Sequence, residues 1–317
     1  MDKVLSAIFS ASFLFSVIRI TTPLMFGAMG ALICKQGGVL HIAFEATMLF
    51  AAFFGMAASA FAHSLWVALL AGIAGGVIIM LLLGYFTLML DANVVLTGIA
   101  LNTLASGGTV FLMYLLCGEK GTSNALQSMT FPNVEIPLLK DIPFLGEVLS
   151  GHNILTYVAF ILPIFVYILV FKTPLGLRMR TVGESPNAAS SVGINVNRTK
   201  FITLAIGGAV TSLGGLYMSM GYLSWFARDM IAGRGFMAIA AQNLGNAAVL
   251  PTFVTSIGFG MANALAITLQ TLSLPAEIFQ ALPYAVTLIG LAAYSSSLKK
   301  DAKGPKAPRG KKRAKAS

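Results

Sequence analysis

The chain reads as an all-α polytopic membrane protein with about ten transmembrane or broken helices in two five-helix inverted halves. Three observations predict this. Its 317 residues are 57% hydrophobic and only 10% charged, where a soluble domain carries about 25% charged residues. Apolar runs near or above ~18 residues recur from end to end, and mean hydropathy is +0.84. Finally, a long connection at 118–152 leaves five apolar runs before it and five after it. An odd number per half gives the halves opposite orientations, as in inverted-repeat transporters.

In chain order the expected spans are 4–20, 21–35, 40–61, 64–90, 93–117, 153–171, 201–222, 236–250, 253–271 and 278–295. The first, following Lys3, resembles a secretory h-region but runs on into apolar sequence without a cleavage site, so it is read as a retained span. Segments 21–35 and 236–250 fall short of the ~20 residues that cross a bilayer alone, and are read as broken or re-entrant. Gly72/Gly76 and Gly208/Ser212 are small-residue pairs that let helices approach closely. The membrane region is thus 1–298. Residues 299–317, rich in Lys, Ala, Gly and Pro, form a basic tail expected to be disordered.

The net charge of +10 does not indicate a nucleic-acid partner, because nine of the 21 basic residues lie in that tail. A solvated tail meeting anionic lipid headgroups accounts for it. Alternating sidedness groups Lys3, Lys35, Lys172, Arg178, Arg180, Arg198, Lys200 and the tail on one face. Arg19, Lys120, Lys140, Arg228 and Arg234 fall on the other. The excess puts both termini and the 172–200 loop in the cytoplasm. The 118–152 connection, with Pro132, Pro137 and Pro143, is then the large external loop. Cys34 and Cys117 fall near opposite faces, which disfavours a disulfide.

Polar groups at membrane depth are costly and need a reason. His41 and Glu45 share a helix face one turn apart. They either line a substrate path or, in Glu45's case, bond loose N–H groups at a helix start. Asn102 sits mid-span, and Gln242, Asn243 and Asn246 crowd one short segment. These six are the substrate-path candidates, with His41 near the inner gate. Two ligand types alone make no metal site.

The 172–200 loop is the longest polar and basic run between two apolar segments. Ser185 suits an N-cap, Pro186 the first helical position and Gly193 a C-terminal stop, which predicts a helix from Pro186 to Val192. The chain contains no G-x-x-x-x-G-K-[ST], H-E-x-x-H, G-x-S-x-G or cysteine-pair metal pattern. The chain is therefore read as a non-enzyme without cofactors, and any ATP must be bound by another chain.

Four passages, TPLMFGAMGALICKQGGVLHIAFEATML, NVVLTGIALNTLASGGTVFL, TPLGLRMRTVGESPNAASSVGI and DMIAGRGFMAIAAQNLGN, resemble the permease subunits of bacterial ABC importers. The branch is that for nucleosides, simple sugars and branched-chain amino acids. Within it the chain looks closest to nucleoside permeases served by basic-membrane-protein-like lipoprotein receptors. The resemblance implies that Arg180, Val182, Gly183, Glu184, Ser185, Pro186, Asn187, Ala188, Ala189 and Gly193 belong to a coupling element docking on an ATPase subunit. It also implies two ATPases, a second permease, commonly a different chain, and an extracytoplasmic substrate-binding lipoprotein. Where the family reads G-V-x-N-I-G-x-E-G, this chain has His41 for Asn and Ala43 and Ala46 for Gly. Gln242 and Asn243 stand where the family is apolar.

The expected function is an ATP-driven import permease for a small polar solute, a purine nucleoside first, riboflavin or a simple sugar as alternatives. An ion-coupled secondary transporter is the rival from another class, for which Glu45 is the only suitable acid.

Overall fold

A computed structural model describes residues 10–126, 128–137 and 144–270. The expected span 278–295, the basic tail and the extreme N-terminus lie outside these. In chain order the helices are α1 (Ala11–Gln36), α2 (Phe44–Ala62), α3 (Leu65–Leu88), α4 (Val94–Cys117), α5 (Leu145–Leu149), α6 (Ile154–Lys172), α7 (Pro174–Glu184), α8 (Pro186–Ser191), α9 (Val196–Tyr217, prolonged by a π turn, Met218–Tyr222), α10 (Arg234–Leu244) and α11 (Val249–Gln270). Two short strands, β1 (Asn133–Val134) and β2 (His152–Asn153), pair antiparallel. Seven of the described helices are long and apolar enough to cross a membrane: α1, α2, α3, α4, α6, α9 with its π turn, and α11.

The first difference from expectation is α1. Segments 4–20 and 21–35 are not two spans with a break: from Ala11 to Gln36 the helix is continuous, and Pro23 lies inside it. Proline removes the N–H that would pair with the carbonyl four residues back, which normally breaks or kinks a helix. That carbonyl belongs to Arg19, and it accepts the Tyr217 hydroxyl at 3.1 Å instead. Thr21 and Thr22 donate to Val17 and Ile18 at 2.7 and 2.9 Å, so their hydroxyls are satisfied within the helix. Ser10 caps the start by accepting the Phe13 N–H. The helix then forms the axis of the molecule, packed on α6, α9, α10 and α11, with every side chain from Ile20 to Cys34 buried.

Small residues set the other close packings. A Cβ on Gly76 would strike the Ser212 hydroxyl, and one on Gly208 would lie 2.8 Å from Met80 Cγ, so these positions are where α3 and α9 touch. A Cβ on Gly215 would strike the Met48 carbonyl, which brings α9 onto α2. By contrast α4 leans on α2 and α3 and leaves most of its surface uncovered, including Leu96, Ile99, Leu104, Phe111 and Leu115.

The contacts define two ends. At one end lies the 118–152 connection: Met129 N–H donates to Ser59, Ser123 N–H to the Phe226 carbonyl, and Phe15 stacks on His152 with ring centroids 4.0 Å apart. The other end carries α7 and α8, the 36–38 turn and the end of α10. There Gln36 donates to the Ala247 carbonyl at 2.9 Å and Lys35 to Asn243 at 3.3 Å. Arg19 and Lys35 therefore sit at opposite ends, as the charge pattern requires. Ser10 stands at the 118–152 end, and the expected placement of the N-terminus opposite falls on residues outside the described set.

The 172–200 segment is more structured than a loop with one helix. Thr173 caps α7 by accepting the Gly176 N–H at 3.0 Å, with Pro174 in the first turn. Ser185 accepts the Ala188 N–H to start α8, and Gly193, at φ +83°, ends it.

Candidate functional site

Two helices begin partway along the helix bundle, and they begin together. The chain leaves α1 at Gln36, turns at Gly38 (φ +72°) and runs without regular structure to Phe44, where α2 starts. It leaves α9 through the π turn and runs irregularly down to Gly233 (φ +80°), after which α10 starts. From this shared level α2 runs toward the 118–152 end and α10 toward the α7–α8 end. The opening N–H groups of a helix lack partners within the helix. Unsatisfied, each would cost several kcal/mol in lipid, by order of magnitude.

Glu45 meets that need for α10. Its two carboxylate oxygens accept the Gly233 and Gly235 N–H groups, each at 2.8 Å. A carboxylate against a helix N-terminus is also favoured by the helix dipole. Gly235 is required here, because a Cβ would run into the Glu45 backbone N–H. Arg234, between the two donors, folds back and donates to the Met230 and Ile231 carbonyls at 3.3 and 3.0 Å.

Asn102 does the same for α2. Its amide oxygen accepts the Ala46 N–H and its amide nitrogen donates to the Ile42 carbonyl, both at 3.0 Å. It stands eight residues into α4, about 12 Å along the helix at 1.5 Å per residue. His41 is buried, accepts the Ala43 N–H on Nδ1 at 3.3 Å and stacks on Phe44. The three candidates His41, Glu45 and Asn102 thus converge on the two helix starts.

Gln242, Asn243 and Asn246 do not join them. They lie at the far end of α10, where Asn243 receives Lys35, Asn246 adopts φ +49° in the closing turn, and Gln242 is buried with its carbonyl accepting the Ala247 N–H. The six candidates therefore form two groups at opposite ends of one short helix.

The sequence reading passed over Ser106 and Asp229. Ser106 on the uncovered face of α4 donates to the Asp229 carboxylate at 2.6 Å, and Arg228 approaches the same carboxylate at 3.4 Å. Asp229 is exposed and at φ +50°. Beyond Ser106, Gly107 and Gly108 face open space. The available signal was Asp229, the single acid in the run DMIAGRGF.

The coupling candidates divide by burial. Val182 and Ala189 are wholly buried. Glu184, Pro186, Asn187, Ala188 and Gly193 are exposed, whereas Ser185 is spent on its cap. Arg180 lies over the Phe171 ring at 4.9 Å. Gly183 is packed so tightly that a Cβ would strike the Gln36 carbonyl, and a Cβ on Gly38 would lie 2.8 Å from Gly183 Cα. Among the described residues no cluster of three or more His, Cys, Asp or Glu could hold a metal ion.

Comparison with known proteins adds the following. The family model of the branched-chain amino acid transport system permease component matches residues 13–291. The guanosine ABC transporter permease protein NupQ of Bacillus subtilis is 32% identical over 304 residues, covering 92% of this chain and 93% of that protein. The nucleoside ABC transporter permease protein NupC of Lactococcus lactis is 29% identical, covering 86% and 89%. The putative glucose ABC transporter permease protein TsgC13 of Haloferax volcanii is 27% identical, covering 84% and 80%. Among solved structures, PsaBC from Streptococcus pneumoniae in complex with Fab superposes with a TM-score of 0.53 at 13% identity, covering 91% of this chain and 94% of that one, a likeness of fold.

Proposed function

Because the chain belongs to the family of branched-chain amino acid transport system permease components and is a permease subunit of an ABC transporter, we propose that it forms half of the import path for a purine nucleoside. The single observation that carries the path is the meeting of two half-buried helix starts at Glu45, beside the polar pair Ser106–Asp229 on the uncovered face of α4. A second permease covers that face, and solute passes between the two chains. The opposite running directions of α2 and α10 from one level support two inverted halves around the 118–152 connection. The NupQ and NupC relatives support the nucleoside. The Haloferax glucose permease supports a simple sugar as the second reading.

In this reading α7 and α8 lie in the cytoplasm and dock on ATPase subunits, which bind the ATP. The 118–152 end receives the substrate-binding lipoprotein. ATP-driven closure moves α8. Motion reaches the path through Gly183 against Gly38, the 37–43 segment and Glu45, since a shift in accessibility requires contacts that differ between the two states. Substrate undergoes no chemistry, so no side chain acts as an acid, base or nucleophile.

Proteoliposomes holding this chain, a second permease, the ATPases and the receptor test the reading. The expected result is ATP-dependent uptake of labelled guanosine, competed by adenosine and not by glucose. Competition by glucose alone selects the sugar. Transport by this chain without ATP or ATPase overturns the ABC mechanism.

A further inference from the structure

We propose that a cavity between α7, the 192–195 turn and the start of α9 holds the headgroup of an anionic phospholipid. The cavity measures about 380 Å³. Arg178 and Arg198 face it from opposite walls, joined by Asn195 and Thr199, while Leu175, Ile194 and Ile202 give it an apolar side. Neither guanidinium has a hydrogen bond or ion pair among the described residues. The surrounding segment carries Lys172, Arg180 and Lys200 as well, against the single acid Glu184. Arg178 and Arg198 are exposed to solvent, and two guanidinium groups on one concavity attract an anion, their planar forks matching phosphate oxygens better than an ammonium would.

Position decides for lipid over a soluble anion. Ile202 lies within the membrane-crossing helix α9, and Leu175 follows within three residues of the end of α6. The cavity therefore opens where two spans leave the bilayer. Basic pockets at that level on the cytoplasmic side meet anionic headgroups, with the glycerol and first methylenes against the apolar wall. The exposed residues Pro186 to Ala188 open α8 at the end away from the 192–195 turn, which leaves them free to meet an ATPase while the lipid is bound.

The full-length chain, purified in detergent and returned to mixed lipid at equal phosphatidylglycerol and phosphatidylcholine, tests this by native mass spectrometry. Wild type is expected to retain phosphatidylglycerol over phosphatidylcholine, and the double variant Arg178→Gln/Arg198→Gln to lose that preference by at least about tenfold. Gel filtration confirms that the variant is monodisperse, and Arg178→Lys/Arg198→Lys, which keeps the charge, recovers part of the preference. Equal retention of the two lipids by wild type overturns the proposal. So does displacement of phosphatidylglycerol by millimolar inorganic phosphate, which assigns the cavity to a soluble anion. Unchanged lipid retention in the glutamine variant with lost ATPase co-purification also overturns it, and places the arginines in the ATPase interface.

Discussion

The Tyr217 hydroxyl donates to the Arg19 carbonyl at 3.1 Å across two helices that are 198 residues apart in sequence. That carbonyl is the one Pro23 leaves without a partner, so the bond both completes α1 and fixes it to α9. The Arg19 side chain reinforces the junction, donating to the Tyr222 carbonyl at 2.8 Å and lying 4.3 Å from the Tyr222 ring centroid. The central helix therefore depends on a side chain from the second half of the chain.

Tyr217→Phe keeps the ring and removes the donor. The variant should lose about 1–3 kcal/mol, the cost of an unsatisfied carbonyl in this part-buried junction. Pro23→Ala restores the backbone donor at position 23, so in that background the same substitution should cost less than half as much. Thermal unfolding of the four proteins in one detergent closes the cycle. Equal costs in both backgrounds would show that the hydroxyl does not serve the proline gap.

Glu45 holds the start of α10 through both carboxylate oxygens. Glu45→Ala leaves the Gly233 and Gly235 N–H groups unpaired at membrane depth and should lower stability by about 2–5 kcal/mol. Glu45→Gln keeps one acceptor and loses the charge at the helix start, so it should fold, with a smaller loss and slower ATP-driven uptake. Hydrogen exchange at residues 233–237 reads the effect directly: protection should fall in the order wild type, Gln, Ala.

Sequence reading succeeded where the cause is local. Ser185, Pro186 and Gly193 mark α8 within nine residues, and the span lengths of α2, α3, α4, α6 and α9 follow from continuous apolar runs. It failed where the cause is distant. Nothing near Pro23 announces Tyr217, and although bonding of loose N–H groups at a helix start is one of the two readings of Glu45, nothing near it announces that the donors are Gly233 and Gly235, 188 and 190 residues away. The grouping of Glu45 with Gln242 and Asn243 rested on polarity alone. Polarity cannot distinguish the start of α10 from its end. The Met179–Val182 spacing of α7, with Gly176 three residues before, was readable as a buried helix stripe. Treating 172–185 as loop hid it.

Gly183 lets the proposed coupling element meet the turn at Gln36 to Gly38 backbone to backbone. Gly183→Ala introduces a Cβ into the Gln36 carbonyl and should cost about 1–3 kcal/mol as an overpacked contact. In the assembled transporter the same change should reduce uptake more than it reduces ATP hydrolysis, because the altered contact lies between α7 and the segment leading to Glu45. Parallel loss of both activities would indicate damaged docking instead.

Val182 and Ala188 separate folding from docking. Both lie in the proposed coupling element, but Val182 is fully buried, and Ala188 is exposed on α8. A carboxylate at 182 would be buried without a partner, at a cost of several kcal/mol by order of magnitude. Val182→Asp should therefore be recovered in low yield or aggregated, whether or not ATPase is present. Ala188→Asp adds a solvated charge and should leave yield and melting unchanged, while ATPase co-purification falls about tenfold or more. If Ala188→Asp binds ATPase as wild type does, the exposed face of α8 is not the docking surface, and the search moves to Val192, which is 73% exposed at the other end of the same helix.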